Sequence, residues 1–297
     1  MPPGLIWGKT AVFFMLDDIT LLAQLADSAL HAGFQALARA QGENGEPGAR
    51  QERDAAAVFA RAAMQALMQR LQQEAPPVLL MMGQASPRRF GRGAPVMRII
   101  ATPVEGVADF SRGMPFSAFS ALCLAAAPPS GPLDVATVRA ALVHPLDGGS
   151  TLYALQQRQP WVEHQGQHHL MRTSNARALS QASLSVALNG HAPGKALADV
   201  LGRAKAVHAT GSCCTALLAV ARGQLDAHID IRAVLTAEHW LAGAAFVHAA
   251  GGHVALLDDT LEQAGAPLNL HQRRGIVAAA SRELLEEILS ALRRAWL

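Results

Sequence analysis

Charge is scarce in this chain. Only 16% of its 297 residues are charged, and 25 basic against 23 acidic residues leave a net +2. A balance this small, with the basic residues scattered, excludes a nucleic-acid surface and a polybasic membrane footprint. Aromatic rings are scarcer still at 5%, and Tyr153 is the only tyrosine, so no platform for stacking bases is evident. The three cysteines, Cys123, Cys213 and Cys214, cannot build a disulfide framework, because two are adjacent and adjacent cysteines make strained partners. A reducing compartment, the cytoplasm, is the expectation. Long hydrophobic runs are missing too. Ala11 to Leu16 is too short to span a bilayer, is followed at once by Asp17-Asp18, and lacks the length and cleavage site of a signal peptide. What is plentiful is apolar surface. Just over half the residues are hydrophobic, enough for one large α/β core or two smaller units sharing an interface.

The apolar pattern predicts helices over Leu21 to Ala40 and Ala55 to Gln73, with a polar break at Gln41 to Gly48 and Asp54 at the second helix's start. Val78 to Met82, Val96 to Ala101 and Phe116 to Ala127 read as strands, with a basic, Gly-rich loop from Ser86 to Gly93. Pro128 to Pro132 is a turn, and Gln156 to His169 reads as polar strands and exposed loops. From Gln181 strands and helices alternate. Strands are expected at Leu184 to Leu188, Ala206 to His208, Ala227 to Ile231 and His253 to Leu257. Helices are expected at Ala196 to Arg203, Cys214 to Arg222, Leu241 to Ala250 and Arg282 to Trp296. The last has Ser281 as N-cap, acids early and Arg293-Arg294 late, which suits the helix dipole. The pattern implies a layered α/β/α/β sandwich, divided into residues 1–180 and 181–297 around one shared cleft.

One segment carries more information than the rest. The strand from Val96 runs into Ala101-Thr102-Pro103-Val104-Glu105-Gly106-Val107-Ala108-Asp109-Phe110, a Pro-acid-Gly turn. It resembles the signature of the lithium-sensitive, metal-dependent sugar phosphatases, the superfamily of inositol monophosphatases and class II fructose-bisphosphatases, which typically read Asp-Pro-(Ile/Leu)-(Asp/Glu)-Gly-Thr. Further blocks follow in the family's order. Asp54-Ala55-Ala56-Ala57-Val58 and Gly93-Ala94-Pro95-Val96 are similar to fructose-bisphosphatase segments, and Phe110 to Phe116 to an inositol monophosphatase one. Gly211-Ser212, Val220 to Ala227 and Ala242 to Gly252 resemble inositol monophosphatases.

The resemblance implies a carboxylate cage for Mg²⁺ or another divalent metal, with no organic cofactor. Hard cations take oxygen ligands and activate water. Of the family's acids, Asp54 and Glu105 are present. Met82 and Thr102 stand where two others belong, and the family's Trp-Asp pair falls on Glu238-His239, with Glu238 as a shifted replacement. Val107 stands in the place of the water-orienting Thr. The implied metal ligands are Glu105, Asp54 and Glu238. The implied catalytic residues are Glu105 and Asp54, with His239 as an acid or base. The backbone of Gly106, Val107 and Ala108 would hold an anion, Asp230 would accept a sugar hydroxyl, and Arg92 would capture phosphate.

Three readings follow from this thinned motif. The chain binds a small phosphorylated or anionic polyol and hydrolyses its phosphomonoester with weakened metal dependence. Alternatively it is an inactive pseudophosphatase with a binding or regulatory role, or a repurposed enzyme running non-hydrolytic chemistry in the same pocket. A homodimer without nucleic-acid or membrane partners is expected. Cys213-Cys214 at a helix start raises the question of thiol reactivity, and His164, His168 and His169 that of a metal cluster; small packing residues and an exposed polar loop are the plainer accounts of each.

Overall fold

A computed structural model of the chain describes residues 9–43, 49–74, 76–83, 86–107, 110, 121–188, 195–209 and 211–296, with the side chains of 9–16, 41–43, 49–54, 74, 196 and 295–296 also left outside the description. Two long helices, α1 (Lys9–Glu43) and α2 (Ala49–Glu74), open the fold. Leu22, Leu25, Ala26 and Ala29 make one buried stripe, and Ala56, Phe59, Ala63, Leu67 and Leu71 the other, at the spacing of helix turns. The stripes meet closely: a Cβ on Gly33 would lie 2.5 Å from the Phe59 ring. The helix propensity of Arg50 to Arg53 carries α2 back to Ala49, so Asp54 lies inside the helix rather than ahead of it.

Eight strands form the first sheet: β1 (Val78–Met81), β2 (Arg88–Phe90), β3 (Met97–Glu105), β4 (Ala121–Ala127), β5 (Ala140–Pro145), β6 (Leu152–Leu155), β7 (Trp161–His164) and β8 (Gln167–Leu170). Their order is β2-β1-β3-β4-β5-β6-β7-β8, with β1 and β3 parallel and the rest antiparallel. α1 and α2 cover one face, against Leu80, Ile99, Leu122, Leu124 and Leu142. The opposite face presents Ile100, Cys123, Ala125 and Val143 to two short central helices, α4 (Cys213–Ala221) and α5 (Ala237–Ala249). With both faces covered, β3 and β4 read as continuous apolar runs instead of alternating.

The second sheet orders β10-β9-β11-β13-β12, from β9 (Ser183–Val186), β10 (Ala206–Ala209), β11 (Ala227–Leu235), β12 (His253–Leu257) and β13 (Arg274–Ala279). Its inner face adds Ile276 and Ala278 to the core around α4 and α5. Its outer face packs Leu184, Val186, Ile229 and Val277 beneath α3 (Lys195–Arg203) and α6 (Arg282–Trp296). The layered α/β order expected from sequence is present, and α3 with α6 adds an outer helical layer. Among the described residues, no helix is long and apolar enough to cross a membrane.

Candidate functional site

β3 ends on the acid of the Pro-acid-Gly turn. Its pairing with β4 slips between Thr102 and Glu105, and Gly106 follows at φ +77, a conformation that costs an L-residue and suits glycine. The Phe110 N–H donates to the Gly106 carbonyl at 3.0 Å, and the Val107 side chain is exposed. Ala108 lies outside the described residues, as do Ser111 to Phe116.

Glu105 does not face open solvent. It is buried, and both its oxygens accept hydrogen bonds from the start of α4: the Ser212 hydroxyl donates to Oε2, and the Cys213 backbone N–H to Oε1 at 3.3 Å. Ser212 is the N-cap of that helix, with its Oγ also accepting from the Thr215 N–H at 3.2 Å. One side chain thus closes the helix end and anchors the acid.

Glu238, in the first turn of α5, plays a parallel part at the ends of β1 and β3. Its carboxylate accepts from the Gly83 N–H just beyond β1 and from the Thr236 hydroxyl at 3.0 Å. Its backbone carbonyl accepts from the Thr102 hydroxyl at 2.7 Å. The two acids therefore meet at one end of the first sheet, each at the N-terminus of a different central helix, where partial positive charge favours a carboxylate. His239 is half-exposed beside Glu238, its Nε2 3.7 Å from Oε1. Burial holds its pKa below the ordinary imidazole value, against the opposing pull of Glu238.

Other expected residues sit elsewhere or act differently. Asp54 is on α2, with its side chain outside the described residues. Arg92 occupies the exposed loop packed on Pro76 and Pro77, where β1 begins, because β2 runs antiparallel to β1. From Met97 at the start of β3 to Glu105 at its end is about 26 Å at ~3.3 Å per residue, so Arg92 is not brought to the two acids. Asp230 is fully buried, and its oxygens take Nε of Arg232 at 2.8 Å and Nη2 at 2.5 Å. A carboxylate so engaged is turned to its own strand neighbour. His164, His168 and His169 lie on the exposed β7–β8 hairpin, His164 bonded to Ser150 and His168 resting on Trp161. Among the described residues, no group of three or more His, Cys, Asp or Glu side chains is placed to hold a metal ion.

The cysteines are packing groups. All three are buried, and Cys123 hydrogen-bonds to Cys214. That bond, with burial, pushes the Cys123 thiol up; burial and the nearby Glu105 do the same to Cys213. A thiol held protonated is a poor nucleophile. Sequence reasoning missed Arg232 and the polar row beneath it. His228, fully buried on β11, bonds Ser185 at 3.2 Å through Nδ1, and its Nε2 has no partner among the described residues. Burial lowers its pKa to about 4. The available signal was strand alternation, which puts 228, 230 and 232 on one face.

The fold has counterparts in solved proteins. The suppressor protein SuhB of Bartonella henselae superposes with a TM-score of 0.70 at 18% identity, covering 94% of this chain and 99% of its own. Mycobacterium tuberculosis SuhB gives 0.66 at 22% identity, covering 92% and 96%. Inositol monophosphatase II of Staphylococcus aureus gives 0.70 at 15% identity, covering 92% and 93%. At these identities the likeness establishes the fold. Among curated protein sequences none matches. The sequence model of the inositol monophosphatase family matches residues 17–297, nearly the whole chain, so the chain belongs to the inositol monophosphatase family.

Proposed function

We propose that this family member binds a small phosphorylated or anionic polyol in the cleft at the ends of β1 and β3, without metal-dependent hydrolysis of a phosphate ester. The family fold supports a phosphatase-like function, and its members generally use divalent metals such as Mg²⁺ on phosphorylated small molecules. The described residues do not fit that metal. Mg²⁺ demands a near-octahedral set of oxygens. The described groups offer the thioether of Met82, a Thr102 hydroxyl committed to a backbone carbonyl, and two carboxylates engaged by N–H and O–H donors.

That engagement of Glu105 and Glu238 is the observation that carries the reading. Each acid ties a strand end to a helix start, a role complete without a cation. The backbone donors at Gly106 and Val107 and at the starts of α4 and α5 would receive the anionic group, and the carboxylates the hydroxyls. Two units, 1–180 and 181–297, would close on this cleft; the sheets fall on either side of that division. We take the protein to be a cytoplasmic homodimer, supported by three unpaired buried thiols and by homologues that are often oligomeric. A second reading, non-hydrolytic acid–base chemistry at His239, draws on an imidazole that is half-exposed and held toward its neutral form.

The test is a panel of inositol and sugar phosphates with Mg²⁺, Mn²⁺ and Zn²⁺, run as turnover and as binding calorimetry. Binding without phosphate release is expected. Metal-dependent release that disappears in Glu105→Gln would sink the proposal. Turnover of a non-phosphorylated compound, lost in His239→Ala, would select the second reading.

A further inference from the structure

Near the C-terminal end of α5 the chain crosses from the first sheet to the second. The crossing segment, residues 171–178, leaves β8 and is pinned by bonds to three other parts of the fold. The Thr173 N–H donates to the Ala250 carbonyl at 3.3 Å, and its hydroxyl to the Ala280 carbonyl at 3.2 Å. The Ser281 hydroxyl donates to the Ala176 carbonyl at 2.8 Å. The Ser174 hydroxyl donates to the Asp226 carboxylate, which also accepts the Ser183 N–H at 2.7 Å. These bonds lay Arg172 to Arg177 beside the turn after α5 and the start of α6, and they fix the backbone that carries both arginines.

Between these elements lies a cavity of about 540 Å³. Arg172, Arg177 and Arg282 line it, with Glu283 as the one carboxylate. Among the described residues, the side chains of Arg172 and Arg282 have no hydrogen-bond or ion-pair partner. Arg177 meets Glu283 only loosely, at 3.9 Å, with both side chains exposed. Three guanidiniums against one carboxylate concentrate positive charge in a chain whose net charge is only +2. The end of α6 is not what makes the site, since Ser281 Oγ already takes the Leu284 N–H at 3.2 Å. Nor is this the cleft of the two acids. From Glu238 to Ala249, which lines the cavity, is about 17 Å along α5 at ~1.5 Å per residue.

The fork of a guanidinium matches the oxygens of a phosphate, and three forks around one cavity suit more than one such group. Among the described residues His253 is the only ring in the lining, so little is offered for a base to stack on. We propose that this cavity binds a compact polyanion carrying two phosphate groups and no base, at a site separate from the cleft. The assignment does not depend on what the cleft binds.

Calorimetry on the full chain in EDTA, with inorganic pyrophosphate as the probe, tests it. Arg172→Gln and Arg282→Gln should each weaken one equivalent of pyrophosphate about 5-fold, and the double variant about 20-fold. Both side chains are exposed, so the urea midpoints should stay where they are. Glu283→Gln frees Arg177 and removes the opposing charge, and should tighten binding. Orthophosphate should bind more weakly, because one group cannot engage all three side chains, and ADP no more tightly than pyrophosphate. A wild-type chain that does not bind pyrophosphate overturns the assignment. So does a folded double variant that binds as many equivalents as tightly as the wild type, which would put the anion elsewhere, the cleft included. ADP held more than about 10-fold more tightly than pyrophosphate would reveal a base subsite and overturn the ligand class.

Discussion

Removing the Ser212 hydroxyl tests whether Glu105 is a brace within the fold. Ser212 does two jobs with one oxygen: it accepts the Thr215 N–H as the N-cap of α4 and donates to Glu105 across the gap to β3. Loss of an N-cap costs about 1 kcal/mol. Loss of a donor to a buried charged group costs about 1.5–3 kcal/mol, since no water replaces it at a residue only 1% exposed. Ser212→Ala should therefore destabilise by about 2–4 kcal/mol, large against the total stability of an ordinary domain. Glu105→Gln keeps the shape and one acceptor oxygen while removing a buried charge, and should cost less. The two changes should couple by about 1–2 kcal/mol, because the double variant loses the shared bond only once.

Urea unfolding followed by circular dichroism gives all three values, provided the slope with denaturant stays constant across the set. A Ser212→Ala cost below about 1 kcal/mol, at the level of a cap alone, would refute the brace. So would a coupling near zero, since the two side chains would then act independently.

Two further outcomes follow from packing and burial. A Cβ at Gly243 would lie 2.9 Å from the Leu217 Cβ and 3.0 Å from the Cys214 carbonyl, so Gly243→Ala should lower stability by about 1–3 kcal/mol in the same urea assay; an unchanged midpoint would show that α4 and α5 are not pressed together. His228 has a folded pKa of about 4 against the usual 6.5, so the unfolded chain binds its proton first as pH falls. Its contribution is fully present above pH ~6.5 and is lost toward pH ~4, about 3 kcal/mol in all. His228→Asn should flatten that part of the stability–pH profile, and an identical profile in both proteins would contradict the burial argument.

How far the sequence could be read depended on whether a feature was local. α1 and α2 contain the helices expected over Leu21 to Ala40 and Ala55 to Gln73, though both begin earlier, and the Ser281 cap of α6 and the Gly106 turn stand where local turn chemistry puts them, each set by neighbours a few residues away. β13 escaped notice because Gly275, Ala278 and Ala279 have weak strand propensity; it is held between β11 and β12 by residues distant in sequence. Arg92 is close to the motif in sequence and far from it in space, since the hairpin β1–β2 turns the loop back to the start of β1. Asp230 was read as an acceptor of a sugar hydroxyl, and in the structure it is buried and bonded to Arg232. That commitment was not legible, because nothing in a strand pattern says whether a carboxylate at i faces the cleft or its neighbour at i+2.

On the metal-independent reading proposed above, the placement of the two acids gives the Pro-acid-Gly turn a stabilisation that needs no cation. Carboxylates at one sheet end repel each other and lose solvation, and in a metal cage the cations offset both costs. Here the compensation comes from the protein. Each acid sits at a helix N-terminus, where aligned peptide dipoles put partial positive charge, and each receives a backbone and a hydroxyl donor: Glu105 both from the start of α4, Glu238 from Gly83 just beyond β1 and from Thr236 at the start of its own helix. Those bonds span the boundary between β1 and β3 of the first sheet and the central helices packed beneath it, which the apolar contacts of Ile100, Leu217 and Trp240 alone would leave free to adjust their register. On that reading Met82, Thr102 and Val107 are compatible with the fold, since none would be asked to hold a cation. The Pro-acid-Gly turn keeps a structural reason to exist that is independent of catalysis, and the position of its acid is set by Ser212 and Cys213.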